Sequence, residues 1–311
     1  MKILPQDVKK LREETQCGML DCKKALEENN GDYKAAVEYL RKKGLAAVAS
    51  RSGRVAAEGA IVVHTEDNRG VMVEVNSETD FVARNADFQA VTDAIAQKLC
   101  KTDKPLEEAL DLPFEEGVTI REAITNLAAK IKENINIRRI RPMSVKKGVI
   151  ASYIHSAIGP KHGKIGVMVA IESLLLDHAR LHDLGKKIAM HIAATKPKSL
   201  TVENLSKDLI EEEKVIYQEQ AKAQVKASGK SAEFIDKMVE GRIRKFQEEV
   251  VLMEQEFVLE PKTKVKDFIE REASFHGTDL VIRDFAYFVL GEGVEKEEKD
   301  FAQEVQAQIG Q

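Results

Sequence analysis

The chain has 311 residues, of which 43% are hydrophobic and 32% charged, with a formal net charge of -4 and a pI of about 6.1. That length allows about two or three domains with a substantial core. The charge balance excludes an overall basic field for holding nucleic acid, and aromatics at 5% with no Trp exclude stacking platforms for single strands.

Residues 1–43 read as three short helices. Val8 and Leu11 share a face of the first, and Cys22, Ala25 and Leu26 form the stripe of the second, which Asn30-Gly31 closes. Asp32 suits the cap of a third, with Ala36, Val37 and Leu40 inward and Gly44 expected as its end. Residues 1–56 hold 12 Lys and Arg against 8 Asp and Glu, and AAVASRSGRVAAEG at 46–59 reads as a mobile linker.

Two similar units follow. GAIVVH (59–64) and GVMVEVN (70–76) read as an antiparallel strand pair, then a helix at 86–101 and a further strand at 134–140. GVIASYIH (148–155) and GVMVAIE (166–172) repeat the pattern, with a helix at 178–195 and a strand at 280–290. Phe88, Val91, Ile95 and Leu99 have helical spacing, as do Leu181, Leu184, Ile188 and Ile192. The fold class expected is α+β, with boundaries at 1–56, 57–141, 142–290 and 291–311. Within the third segment, 202–248 reads as an inserted antiparallel helical hairpin, its seam formed by Leu205, Leu209, Ile216 and Ala223 against Ile235, Val239, Ile243 and Phe246. The last segment, EGVEKEEKDFAQEVQAQIGQ, reads as an acidic amphipathic helix.

Catalytic chemistry finds no constellation. There is no GxxxxGK[ST] loop and no GxSxG elbow, and GEG at 291–293 lacks the rest of a dinucleotide fingerprint. His178 and His182 have the spacing of two metal ligands, but HExxH is absent and solvated imidazoles are the plain expectation. Cys17, Cys22 and Cys100 form no CxxC and read as free thiols. Arg41, Lys42, Lys43, Arg51 and Arg54 read as a solvated helix face, and Arg138, Arg139 and Arg141 as a guarded sheet edge or a contact for an acidic partner. Met1–Pro5 opens no apolar signal region, and the longest apolar run, Ile165–Ile171, is far too short to span a bilayer, so a cytoplasmic location is expected.

The loop NSETDFVARN (76–85) places Phe81 in a polar stretch. Composition alone favours a ring folded back against its own helix. The functional alternative is a protruding apolar wedge, with Asp80 hydrogen-bonding a partner's backbone.

LREETQCGMLDCKKAL (11–26), EVNSETDFVARN (74–85), ENINIRR (133–139), MHIAATKP (190–197) and GEGVEKEEKDFA (291–302) occur in this order. On these motifs, nearly end to end, the chain resembles bacterial elongation factor Ts, the nucleotide exchange factors of elongation factor Tu. Gln16-Cys17 and Leu20 stand where that family usually has Gly-Ala and Met. The resemblance implies a three-helix ubiquitin-associated-like N-terminal domain, a core of two related α+β subdomains with antiparallel sheets, an inserted coiled-coil hairpin and a C-terminal helical module. It implies a partner, elongation factor Tu, GDP-bound or nucleotide-free, and no enzyme chemistry, cofactor or metal of the chain's own. Direct nucleic-acid and membrane contacts are not expected. Thr79, Asp80, Phe81 and Val82 are implied as the loop that dislodges the partner's Mg2+. Leu11, Arg12, Met19, Leu20 and Lys23 are implied as the N-terminal contact, although for Leu11 packing inside its own three-helix core is an equal alternative. Self-association through the core or the hairpin stays open. Competing readings are a binding adaptor without exchange activity, and a metal or thiol enzyme built on His178 and His182 or on Cys22.

Overall fold

The computed structural model describes residues 3–15, 17–174, 177–228 and 233–295. The N-terminal unit has α1 (Pro5–Thr15), α2 (Met19–Glu28) and α3 (Tyr33–Arg51). Asp32 caps α3 by accepting from the Ala35 N–H at 3.0 Å, and Asn30 and Gly31 take positive φ after α2. Val8, Leu11, Cys22, Ala25, Leu26, Ala36 and Leu40 form its core. Gly44 does not end α3. The helix runs on to Arg51, because its second half packs against a core helix and Val48 joins the core there. That packing offsets the roughly 1 kcal/mol that an interior glycine costs a helix. The first six residues of the expected linker, 46–51, are therefore helical.

The core follows as β1 (Glu58–Glu66), β2 (Arg69–Ser77), α4 (Ala86–Leu99), α5 (Leu106–Leu110), β3 (Pro113–Glu115), β4 (Val118–Thr119), α6 (Ile120–Ile131), β5 (Asn136–Ser144), β6 (Gly148–Ala157), β7 (His162–Ser173) and α7 (His178–Thr195). It is completed, after the hairpin of α8 (Lys207–Ser228) and α9 (Glu233–Val250), by α10 (Val265–His276) and β8 (Leu280–Val289). The strands are antiparallel throughout the main sheet, so the molecule is α+β.

The two units do not carry separate sheets. The order is β5-β2-β1-β7-β6, with β8 on β7, and the halves join where Ile61 and Val62 of β1 meet Gly163 and His162 of β7. Alternation along the strands explains the layering. Ala60, Val62, Val71, Val73 and Val75 face α4 and α6. Val167, Val169 and Ile171 face α7 and α10. The residues between them, Ile61, Val63, Met72, Met168 and Ala170, pack the two half-sheets against each other. Gly166 permits that approach, since a Cβ there would lie 2.5 Å from Ile61 Cγ2.

The hairpin seam differs from the expected one. Ile216 and Ala223 are exposed, while Tyr217, Ala221 and Val225 turn inward with Leu205 and Leu209 toward Val239 and Phe246. Arg242 of α9 donates to Gln220 at 2.7 Å and to Gln224 at 3.1 Å on α8, which fixes the antiparallel register. The acidic tail helix expected over 292–311 lies, from residue 296, outside the described residues.

Candidate functional site

The β2–α4 connection is pinned on both sides of its apex. On the β2 side, Ser77 Oγ donates to the Thr79 carbonyl at 2.8 Å. The Glu133 carboxylate accepts from the Thr79 N–H at 2.9 Å and from its hydroxyl at 2.6 Å. Glu78 accepts from the Asn134 N–H at 2.6 Å and pairs with Arg54 at 3.3 Å. The Asn134 side-chain amide in turn donates to the Arg54 carbonyl at 2.7 Å. ENINIRR and the end of the N-terminal unit thus hold the front of the loop.

On the α4 side, Val82–Arg84 make one 3-10 turn, and Val82 and Ala83 are buried in the core under α4 and α6. Asn85 caps α4, accepting from the Asp87 and Phe88 N–H groups at 2.9 and 3.2 Å. Gln89 donates back to the Ala83 carbonyl at 2.9 Å. Asp80 and Phe81 are left at the tip, and Phe81 is 79% exposed with ordinary right-handed helical backbone angles. The expectation from composition, a buried ring, is overturned, because Val82 and Ala83 fill the position under the helix. Burying a Phe is worth about 1.5–3 kcal/mol, and folding leaves that gain unused here. Val82 also departs from its expected role, since a side chain only 4% exposed anchors the loop rather than offering a contact face.

Behind the loop lies Glu74, wholly buried. Its carboxylate accepts from Arg138 Nη1 at 3.2 Å, from Arg139 Nε, from Asn76 Nδ2 at 3.3 Å and from the Gly291 N–H at 2.8 Å. A buried carboxylate is tolerable only with such pairing. Arg139 also donates to the Val289 carbonyl at 3.0 Å and lies over the Phe288 ring. Gly291 needs its positive φ, and a Cβ there would lie 2.5 Å from the Ala57 carbonyl oxygen. Arg138 and Arg139 are therefore spent inside the molecule, and Arg141 pairs with Asp284, which replaces the reading of a free edge guard.

In the N-terminal unit, Leu11 is fully buried between the helices. It belongs to that unit's core, which corrects its expected place on the contact face. Arg12 and Lys23 are exposed, Met19 is 46% exposed and Leu20 82% exposed at the start of α2. Met19 and Leu20 form a second apolar feature beside cations. A third sits on the far half of the core, where Phe275 of α10 is 79% exposed and Leu174, beside the end of the same helix, is exposed too.

The enzyme candidates do not assemble. His178 is exposed, and burial and the His178 charge lower the pKa of His182. No third ligand joins them among the described residues. Burial pushes the Cys22 thiol up, the opposite of nucleophile activation, and the three cysteines are free. Sequence reasoning did not find Glu74, Glu133 or Asn134. Their signal was present, since Glu133 and Asn134 open ENINIRR and Glu74 opens EVNSETDFVARN. Nothing in either string shows that they meet.

No described helix is long and apolar enough to cross a membrane. A family model described as "Elongation factor TS" matches residues 78–292. "Elongation factor Ts" of Rhodospirillum centenum is 47% identical over 304 residues, covering 97% of both chains. "Elongation factor Ts" of Rhodospirillum rubrum is 46% identical over 304 residues, again 97% of each. That of Caulobacter vibrioides is 46% identical over 308 residues, 98% of this chain and 97% of its own. Matching over nearly the whole length of each, the chain belongs to the elongation factor Ts family, a family of translation elongation factors.

Proposed function

We propose that this protein binds elongation factor Tu in its GDP-bound form and speeds GDP release, leaving a nucleotide-free complex that GTP resolves. The observation that carries the reading is Phe81, four-fifths exposed at the tip of a loop clamped on both flanks. A ring so held can be pushed into a partner without losing its own fold.

Phe81 enters a gap between the partner's helices beside the bound Mg2+, and Asp80 fixes its approach by hydrogen bonds. Thr79 and Val82 hold the loop in shape from behind. A GTPase grips its nucleotide with a phosphate-cradling loop and a bridging metal. Moving the helices that position the metal removes the main counter-charge to the phosphates. The coupling is reciprocal, so GDP weakens the factor as much as the factor weakens GDP. No bond is made or broken, and the protein is not an enzyme.

Met19 and Leu20, flanked by Arg12 and Lys23, form a second hold on the GTP-binding domain. The N-terminal unit is of the ubiquitin-associated-like type, and α8 and α9 form a coiled-coil hairpin inserted in the second half of the core. Phe275 and Leu174 reach another domain of the partner. The work is done in the cytoplasm. Stopped-flow release of fluorescent GDP from elongation factor Tu tests the whole reading. Release is expected to accelerate with this protein, and binding to weaken as GDP is added. Binding indifferent to GDP would instead mark a scaffold.

A further inference from the structure

A second cluster lies at the other end of α4 from the Phe81 loop, separated from it by a helix about 21 Å long at 1.5 Å per residue. His64 and Glu66 are two apart on β1 and so project to the same face of the sheet, the α4 side. Cys100 is the C-cap of α4. One ligand atom from each residue, an imidazole nitrogen, a carboxylate oxygen and the thiol sulfur, lies within 4.8 Å of the other two. His64 and Cys100 are buried, at 7% and 1% exposed, and Glu66 opens to solvent.

The surroundings hold these groups in place. The Cys100 carbonyl accepts from Arg69 Nε at 3.0 Å, and Arg69 Nη2 grips Asp103 at 2.7 Å. Lys161 Nζ lies 3.2 Å from His64 Nδ1, and His64 Nε2 lies 3.0 Å from Glu66 Oε1. A lysine can only donate, so Nδ1 accepts and the Nε2 proton points at the carboxylate. Nε2 is thus aimed at the point that the three residues share.

We propose that His64, Glu66 and Cys100 bind one divalent cation of the zinc class. The donor set of one nitrogen, one sulfur and one oxygen suits zinc and excludes the all-oxygen preference of magnesium or calcium. The Cys100 thiol loses its proton to solvent on binding. Thiolate and carboxylate then balance the two positive charges, the imidazole stays neutral, and a water takes the fourth position. Ligand distances of about 2.0–2.3 Å put ligand atoms roughly 3.5 Å apart, so the His64–Glu66 pair, now at 3.0 Å, opens slightly while the Cys100 sulfur draws in by up to about 1 Å. The exposed Glu66 side chain is free to adjust. With Nε2 on the metal, the neutral ring carries its proton on Nδ1, and the exposed Lys161 must withdraw. Lys161 therefore competes with the cation. The bound ion would tie the end of β1 to the end of α4 and brace the helix that supports the Phe81 loop at its start. The site itself stands apart from the reading of that loop.

The full-length protein is titrated with zinc against a chromophoric chelator, and separately loaded with cobalt. One equivalent is expected, with a thiolate-to-cobalt charge-transfer band in the near ultraviolet. Glu66→Gln, at an exposed side chain that leaves the fold intact, is expected to weaken zinc by about tenfold or more. Cys100→Ser should lose the band, and Lys161→Gln should bind more tightly. The site is overturned if the chelator keeps all the zinc. It is overturned equally if Glu66→Gln binds as well as the parent, if the cobalt form lacks the thiolate band, or if Lys161→Gln binds no more tightly.

Discussion

The Glu133 carboxylate takes both polar hydrogens of Thr79, the hydroxyl at 2.6 Å and the backbone N–H at 2.9 Å, across a sequence separation of 54 residues. A residue just past α6 thereby sets the shape of the loop that projects Phe81. Glu133→Ala would leave two donors seeking water and free the front of the loop. We expect a loss of about 1–3 kcal/mol in folding stability, read from urea midpoints, together with slower GDP release from elongation factor Tu at equal concentration.

Phe81→Ala separates contact from folding. Its ring is 79% exposed, so unfolding midpoints should shift by no more than about 0.5 kcal/mol. GDP release should slow by about thirtyfold, the equivalent of ~2 kcal/mol for an aromatic anchor. A destabilised protein, or one with undiminished exchange, would show the ring to be structural.

Leu11 and Leu20 should behave oppositely although only nine positions separate them in sequence. Leu11→Ala empties a fully buried site and should cost about 2–5 kcal/mol, visible as a lowered melting transition of the N-terminal unit. Leu20→Ala removes a side chain 82% exposed, leaves stability within about 0.5 kcal/mol, and should weaken partner binding in a calorimetric titration.

His191 supplies a pH dependence. It is fully buried, its Nε2 lies 2.9 Å from Gln255 Oε1, and its Nδ1 accepts from the Val258 N–H at 3.2 Å. Only a neutral ring satisfies both contacts, and burial lowers its pKa below the ordinary value of 6.5. The unfolded chain therefore binds the proton more readily, and stability present above about pH 6.5 is lost as pH falls toward the folded value. Buried His162 acts with the same sign, its pKa also lowered by burial. Urea midpoints should fall between pH 7.5 and 5.5, and the fall should shrink in His191→Gln.

Much of the core was legible because its strands are short apolar runs opened by glycines and its two long helices keep their spacing. The helix at 178–195 matches α7 residue for residue, and the two strand pairs appear as hairpins. The union of the halves was not legible, since only Ile61 and Val62 pair with Gly163 and His162, and two residues leave no periodic mark. Helix α6 was missed although Thr119 and Glu122 form a capping box that Thr-Ile-Arg-Glu spells out. Gly44 misled because local propensity yields to packing on α6. Phe81 shows the limit of composition, for nothing in the residue type says that Val82, and not its neighbour, occupies the space under α4.

The contact of Gly291 with Ala57 and Glu74 brings the way into the sheet and the way out of it to one corner. Traced from Ala57 to Gly291, the core is nearly a closed ring of chain. Joining those two points with a short bridge and opening the backbone at another surface turn would preserve every strand neighbour. The N-terminal unit therefore enters the sheet beside the point where the chain leaves β8.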